Sequence, residues 1–219
     1  MFTGTTSFKI AAIVALVFLQ LGVAHSAESE LVKRFKDALE KNNTQEMSFL
    51  ISTSKVSVPT EIRALLAEAE RPDISKEDKD ERYNIAEIMA REYKDASGDT
   101  GMLIEVKKTI FNARLSTTIR PTMSNGVAEV RIPMPTGASK NVFVPDNIVI
   151  KKGETVRWIN DSAVMHVFSS LKLISAGGVS SPKIEPSLNW EARFERPGEY
   201  YYICFIHSSM IGKITVEEK

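Results

Sequence analysis

The chain reads as a two-domain α+β protein, a small all-α domain followed by a β-sandwich. Three observations predict this. From Glu28 to about Leu115 the apolar residues recur at three- and four-residue spacing. From Val127 onward the period changes to two. Between them, residues 116–126 crowd Thr, Pro, Ser, Asn and Gly together, the composition of a linker. The expected organisation is therefore a leader over 1–26, a helical domain over 27–115, a linker over 116–126 and a sandwich over 127–219. A chain of 219 residues can hold two such cores.

Five helices are expected. Val32, Phe35 and Leu39 lie among Lys and Glu and make an amphipathic helix over about 29–41. Asn43 or Thr44 can cap a second, carrying Met47, Phe49 and Leu50. Pro59 starts a third, with Ile62, Leu65, Leu66 and Ala69 on one face, and Pro72 stops it. Ser75 with Asp78 resembles a capping box for a fourth, which turns Tyr83, Ala86, Met89 and Tyr93 inward and ends near Gly98. A fifth begins near Thr100 and presents Leu103, Val106, Ile110 and Phe111. The acids of Glu77–Glu81 lack the glycine and final glutamate of a calcium loop, so they read as a solvated first turn complementing the helix dipole. With no His and no Cys, the helical domain offers no haem attachment and no His-containing di-iron site.

The sandwich is expected from short alternating runs separated by turns. Val130, Ile132 and Met134 form one. Val142, Val144, Ile148 and Ile150 supply strand material, and Val156 and Trp158 follow a Lys-Lys-Gly-Glu turn. Trp190, Ala192 and Phe194 alternate with charges, and Arg196-Pro-Gly-Glu turns the chain into Tyr200–Cys204. Tyr200 and Tyr202 share one face of that strand and Tyr201 takes the other. Sheet filling is the plainest role for all three, with a tyrosine electron relay as an alternative.

The first segment has the form of a signal peptide. Lys9 precedes an apolar run from Ile10 to Val23, and Ala24-His25-Ser26 offers small residues for cleavage after Ser26 or Ala27. A retained anchor is the alternative, but the run is short for a full span. Cleavage leaves no stable membrane span and points to a periplasmic or otherwise exported protein. It also leaves a near-neutral chain, with no electrostatic case for nucleic acid, and only two histidines, His166 and His207. The single cysteine, Cys204, can make no internal disulfide. In an oxidising compartment a lone thiol needs protection, and metal ligation supplies it.

Those three residues carry the chemistry. Cys204-Phe-Ile-His207-Ser-Ser-Met210 places a thiolate, an imidazole and a thioether on one tight loop, and His166 comes from a distant strand end. A His2Cys trigonal set with a weak axial Met is the arrangement of a type 1 copper site. Met165 competes with Met210 on type alone, but as the neighbour of His166 it points away along the chain. Asn160, ending the Trp158 strand, is placed to hydrogen-bond across to the ligand loop and brace it.

Residues from about Val127 to the C-terminus resemble the cupredoxins, most closely amicyanin-type and plastocyanin-like members. The matching stretches are Phe143-Val-Pro, Ile148 through Asn160, and Gly198 through Gly212. The resemblance implies a Greek-key sandwich holding one type 1 copper, with His166, Cys204, His207 and Met210 matching the family's ligands. The implied function is one-electron transfer between redox partner proteins outside the cytoplasm. Two residues separate His207 from Met210, as in the short-loop form. The chain departs from amicyanin-type members in having Ile206 and Ser208, rather than prolines, around the loop histidine, and Met165 before the first. A loop without Pro is less restricted in φ. Less than half of the chain is covered.

Four protein ligands on one metal leave no position for substrate, so the reading is a carrier and not an enzyme. Two other readings compete: a periplasmic copper-binding or delivery protein, and an interaction module whose helical domain docks a partner. The methionines outside the loop are scattered, which weighs against delivery. If the two domains are independent, the sandwich alone should still bind copper.

Overall fold

The computed structural model describes residues 28–218. The leader expected over residues 1–26 lies outside them. Among the described residues five helices come first: α1 (Glu30–Glu40), α2 (Thr44–Thr53), α3 (Val58–Ala69), α4 (Lys76–Ser97) and α5 (Gly101–Asn112). Seven strands follow: β1 (Val127–Ile132), β2 (Asn147–Lys151), β3 (Thr155–Asn160), β4 (Phe168–Ser170), β5 (Asn189–Arg193), β6 (Gly198–Cys204) and β7 (Ile211–Glu217). Among the described residues no helix is long and apolar enough to cross a membrane.

The helix starts follow from side-chain caps. Ser29, Asn43 and Ser75 each accept a backbone N–H from the first turn of α1, α2 and α4, a contact worth about 1 kcal/mol. At α4 the box is modified, because the Ser75 hydroxyl also donates to the Asp78 carboxylate. Gly98 ends α4 in the left-handed region at φ 77°, where a side chain would be strained. The five helices share one core built on Phe35, Ile51, Ile62, Ala86, Met89 and Val106. In α2 the inward face is Met47, Leu50 and Ile51, while Phe49 is 56% exposed. The expected phase was therefore off by part of a turn.

The strands form two sheets, β1-β3-β5 and β2-β7-β6-β4. Pairs β1/β3 and β2/β7 are parallel, and the others are antiparallel. The core between the sheets is aromatic: Trp158 stacks on Trp190, and Phe143, Phe168 and Tyr202 pack around them. Phe143 is the buried residue of its segment. Val142 and Val144, expected as strand material, lie outside the named strands and are 41% and 49% exposed. Residues 116–126 run against the sheet: the Ile119 N–H donates to Asn147 O, and the Val149 N–H donates to Ile119 O.

The two domains meet on the outer face of the four-stranded sheet. Tyr201 points out of the sandwich, as its alternation requires, yet is 0% exposed because Phe111 of α5 packs edge-on against it at 5.1 Å. Ile174 completes the buried set, with Ile104, Leu115, Leu171, Ile203 and Ile211 around it. Glu199 on β6 bridges Lys108 of α5 and Lys213 of β7, each at 2.7 Å. Lys213 also donates to Asn112 Oδ1 at 3.1 Å. The seam thus grips β6 and β7, the strands on either side of the loop that carries Cys204, His207 and Met210.

Candidate metal centre

The fold brings three of the four expected residues to one point. Cys204 is the last residue of β6, and its position in the alternation turns its side chain inward with Tyr200 and Tyr202. His166 sits just before β4 and exchanges backbone hydrogen bonds with Ile184. The β4/β6 register sets Phe168 opposite Cys204, so the chain two residues before Phe168 arrives beside the thiol. The Cys204 Sγ lies 3.8 Å from His166 Nδ1 and 3.7 Å from His207 Nδ1. All three ligand-type atoms fall within 4.8 Å of one another.

The separations are those of atoms sharing a small ion. Bonds of about 2.0–2.3 Å in a trigonal plane place neighbouring ligand atoms about 3.7 Å apart. The donor set, one soft sulfur and two imidazole nitrogens, suits copper. Met210 is 0% exposed in the same core cluster as Cys204, whereas Met165 is only half-buried.

The loop is closed by its own backbone. The Cys204 N–H donates to Met210 O at 3.0 Å, and the Met210 N–H donates to His207 O at 2.9 Å. The Phe205 N–H donates to Val167 O at 2.8 Å, which ties the loop to the segment carrying His166. These bonds supply restraint that prolines would otherwise give. His166 is 0% exposed, Cys204 1%, and His207 half-buried at the surface. Burial, with a smaller contribution from the neighbouring His207, pushes the His166 imidazole down to about 4. The neutral, ligating form is therefore the resting one at neutral pH.

Asn160 does not reach the ligand loop. Its Nδ2 donates to Val164 O at 2.8 Å and Ile184 O at 2.9 Å, and its Oδ1 accepts the N–H and hydroxyl of Ser162. It braces the segment before His166 instead, because the chain folds back at residues 161–165 and brings those carbonyls nearer than the Cys204 loop. The sequence reading passed over Ser162, whose hydroxyl lies 2.8 Å from His166 Nε2. A turn-forming serine four residues before a candidate ligand was the available signal.

The two residues before His207 in the loop, Phe205 and Ile206, are apolar and exposed, at 66% and 47%.

Residues 134–217 match the family described as copper binding proteins, plastocyanin/azurin family. A plastocyanin of Scenedesmus fuscus is 32% identical over 98 residues, spanning 41% of this chain and 100% of that protein. Amicyanin-alpha of Methylorubrum extorquens is 32% identical over 96 residues, spanning 42% of this chain and 73% of its own length. Among solved structures, a purple cupredoxin from Nitrosopumilus maritimus is similar at 32% identity and a TM-score of 0.36, covering 41% of this chain and 99% of that one.

Proposed function

The chain belongs, through its C-terminal domain, to the plastocyanin/azurin family of copper-binding proteins, and from that premise we propose that it is an exported one-electron carrier. His166, Cys204 and His207 would hold the copper, with Met210 as a further, weaker thioether donor. Bound there, copper supplies a single redox step between Cu(I) and Cu(II). The residues of the chain do the rest. The aromatic core and the closed loop hold the ligands in place, so little rearranges when the charge changes. Burial of His166, Cys204 and Met210 keeps water away. His207, the ligand nearest solvent, is the port, and the exposed apolar Phe205 and Ile206 beside it in the loop offer the surface on which redox partners would dock.

The observation that carries this reading is the cluster itself, a buried thiol and two imidazole nitrogens already at ligand spacing. The same burial argues against delivery, since a donor of copper needs ligands a recipient can reach. The N-terminal leader and the lone cysteine support export.

Stopped-flow mixing of copper-loaded protein with a one-electron reductant, then an oxidant, tests the role. The expected result is reversible exchange of one electron per chain, with no net turnover of small substrates. Sustained turnover by the purified protein, or rapid surrender of copper to a weak chelator, would refute it.

A further inference from the structure

One buried residue next to the site has a geometry that assigns it a task. Ser162 is 3% exposed, and its Oγ stands 2.8 Å from His166 Nε2 and 2.7 Å from Asn160 Oδ1. The orientation of the Asn160 amide follows from its neighbours. Two carbonyls, Val164 O and Ile184 O, lie against one end, which must therefore be the NH2 group. The other end, Oδ1, then faces the Ser162 N–H at 3.0 Å and the Ser162 hydroxyl.

A hydroxyl has one proton to donate. Three acceptors lie within reach of Ser162 Oγ: Asn160 Oδ1 at 2.7 Å, Val164 O at 3.1 Å and His166 Nε2. The two oxygens can only accept. Donation to either of them leaves Ser162 Oγ free to accept from His166, and His166 Nε2 then carries the hydrogen. A neutral imidazole has a single N–H, so its Nδ1 is left with a bare lone pair. Nδ1 is the nitrogen that faces Cys204. Donation to Nε2 instead would put the ring hydrogen on Nδ1, directed at the thiol, and would give up the shortest of the three contacts.

We propose that Ser162 is a positioning residue for the metal centre. The chain Asn160–Ser162–His166 sets the tautomer and the ring angle of His166 before a metal arrives. An imidazole held in this way presents its lone pair without a tautomer change and without turning about its side-chain bonds. The consequence for copper rests on the function proposed above, but the tautomer does not, and it can be measured without metal.

Long-range 15N–1H correlation spectra of the metal-free full chain at neutral pH report which His166 nitrogen bears hydrogen. The expected result is one tautomer, with hydrogen on Nε2. Hydrogen on Nδ1, or an even mixture, overturns the proposal. Ser162→Ala should mix the tautomers and weaken copper(I) binding by about 10–100-fold in competition with a chelator. Ser162→Thr keeps the hydroxyl and should retain both properties. An alanine variant with the wild-type tautomer and wild-type affinity would overturn the proposal. If the alanine variant does not fold, the wild-type tautomer decides. A chain that binds no copper would defeat the carrier reading alone, and the tautomer would still decide the role of Ser162.

Discussion

Replacing Phe111 with Ala tests whether the helical domain and the sandwich fold as one body. Phe111 is 8% exposed and sits edge-on to Tyr201 at 5.1 Å. Deleting a buried Phe ring costs roughly 3–5 kcal/mol when the neighbours cannot close the gap. The seam has few fully buried members and its half-buried rim can relax, which places the expected loss near the lower end, about 3 kcal/mol. The Lys108–Glu199 pair survives the change, but both side chains are about a third exposed and a pair so placed contributes under about 1 kcal/mol. Urea unfolding followed by two probes reads the result. Both tryptophans, Trp158 and Trp190, lie in the sandwich, and all the described helices precede it. Fluorescence therefore reports one domain and helical ellipticity the other. In the native protein the two transitions should coincide. In the variant the fluorescence midpoint should fall by about 1–1.5 M urea, taking a slope of about 2–3 kcal/mol/M. A fluorescence transition that stays in place while the helical signal alone moves would refute the shared core.

Three further outcomes follow from the structure. Cys204→Ser removes the soft sulfur donor, so copper-loaded protein should lose its intense visible absorption, which absorbance after copper addition checks. Gly212→Ala would set a methyl 2.3 Å from the Tyr202 ring carbon that bears the hydroxyl. Because Trp158, Phe143 and Phe168 hold that ring, the expected cost is about 1–3 kcal/mol, seen calorimetrically as a midpoint lowered by about 2–4 °C per kcal/mol. The third concerns acid. Burial alone would raise the Glu199 carboxyl, but hydrogen bonds from Lys108 and Lys213 outweigh it and bring it down to about 2. A carboxylate depressed on folding stabilises above its unfolded value near 4.5 and loses that contribution as pH falls toward 2. Discounted for exposure, the amount is about 1 kcal/mol. Glu199→Gln should flatten the stability profile across that window, and an unchanged slope would exclude the seam as its source.

Much of this was legible in the residues. Ser29, Asn43 and Ser75 announce their helices because a short polar side chain before an apolar periodic run has one obvious task. The metal cluster was legible because the chain is so poor in histidine and cysteine that few other groupings exist. What escaped was decided by contacts distant in the chain. Alternation turned Tyr201 out of the sandwich, but nothing local says that Phe111, ninety residues earlier, covers it. Phe49 and Ile51 lie on nearly opposite faces of a short helix, and packing against the shared helical core turned Ile51 inward and left Phe49 outside. Val142 and Val144 read as strand material, but their segment stays outside the named strands and is anchored by Phe143, whose ring packs on Phe168 and Tyr202. Asn160 was recognised as a brace, but its direction depends on how residues 161–165 fold back.

The central claim is that Cys204 binds copper together with His166 and His207. Adding copper to the purified protein and recording visible absorption with electron paramagnetic resonance tests it most directly. The expected result is an intense thiolate-to-copper band with the narrow hyperfine splitting of a type 1 centre. A colourless product, or the broad splitting of an ordinary copper complex, would contradict it.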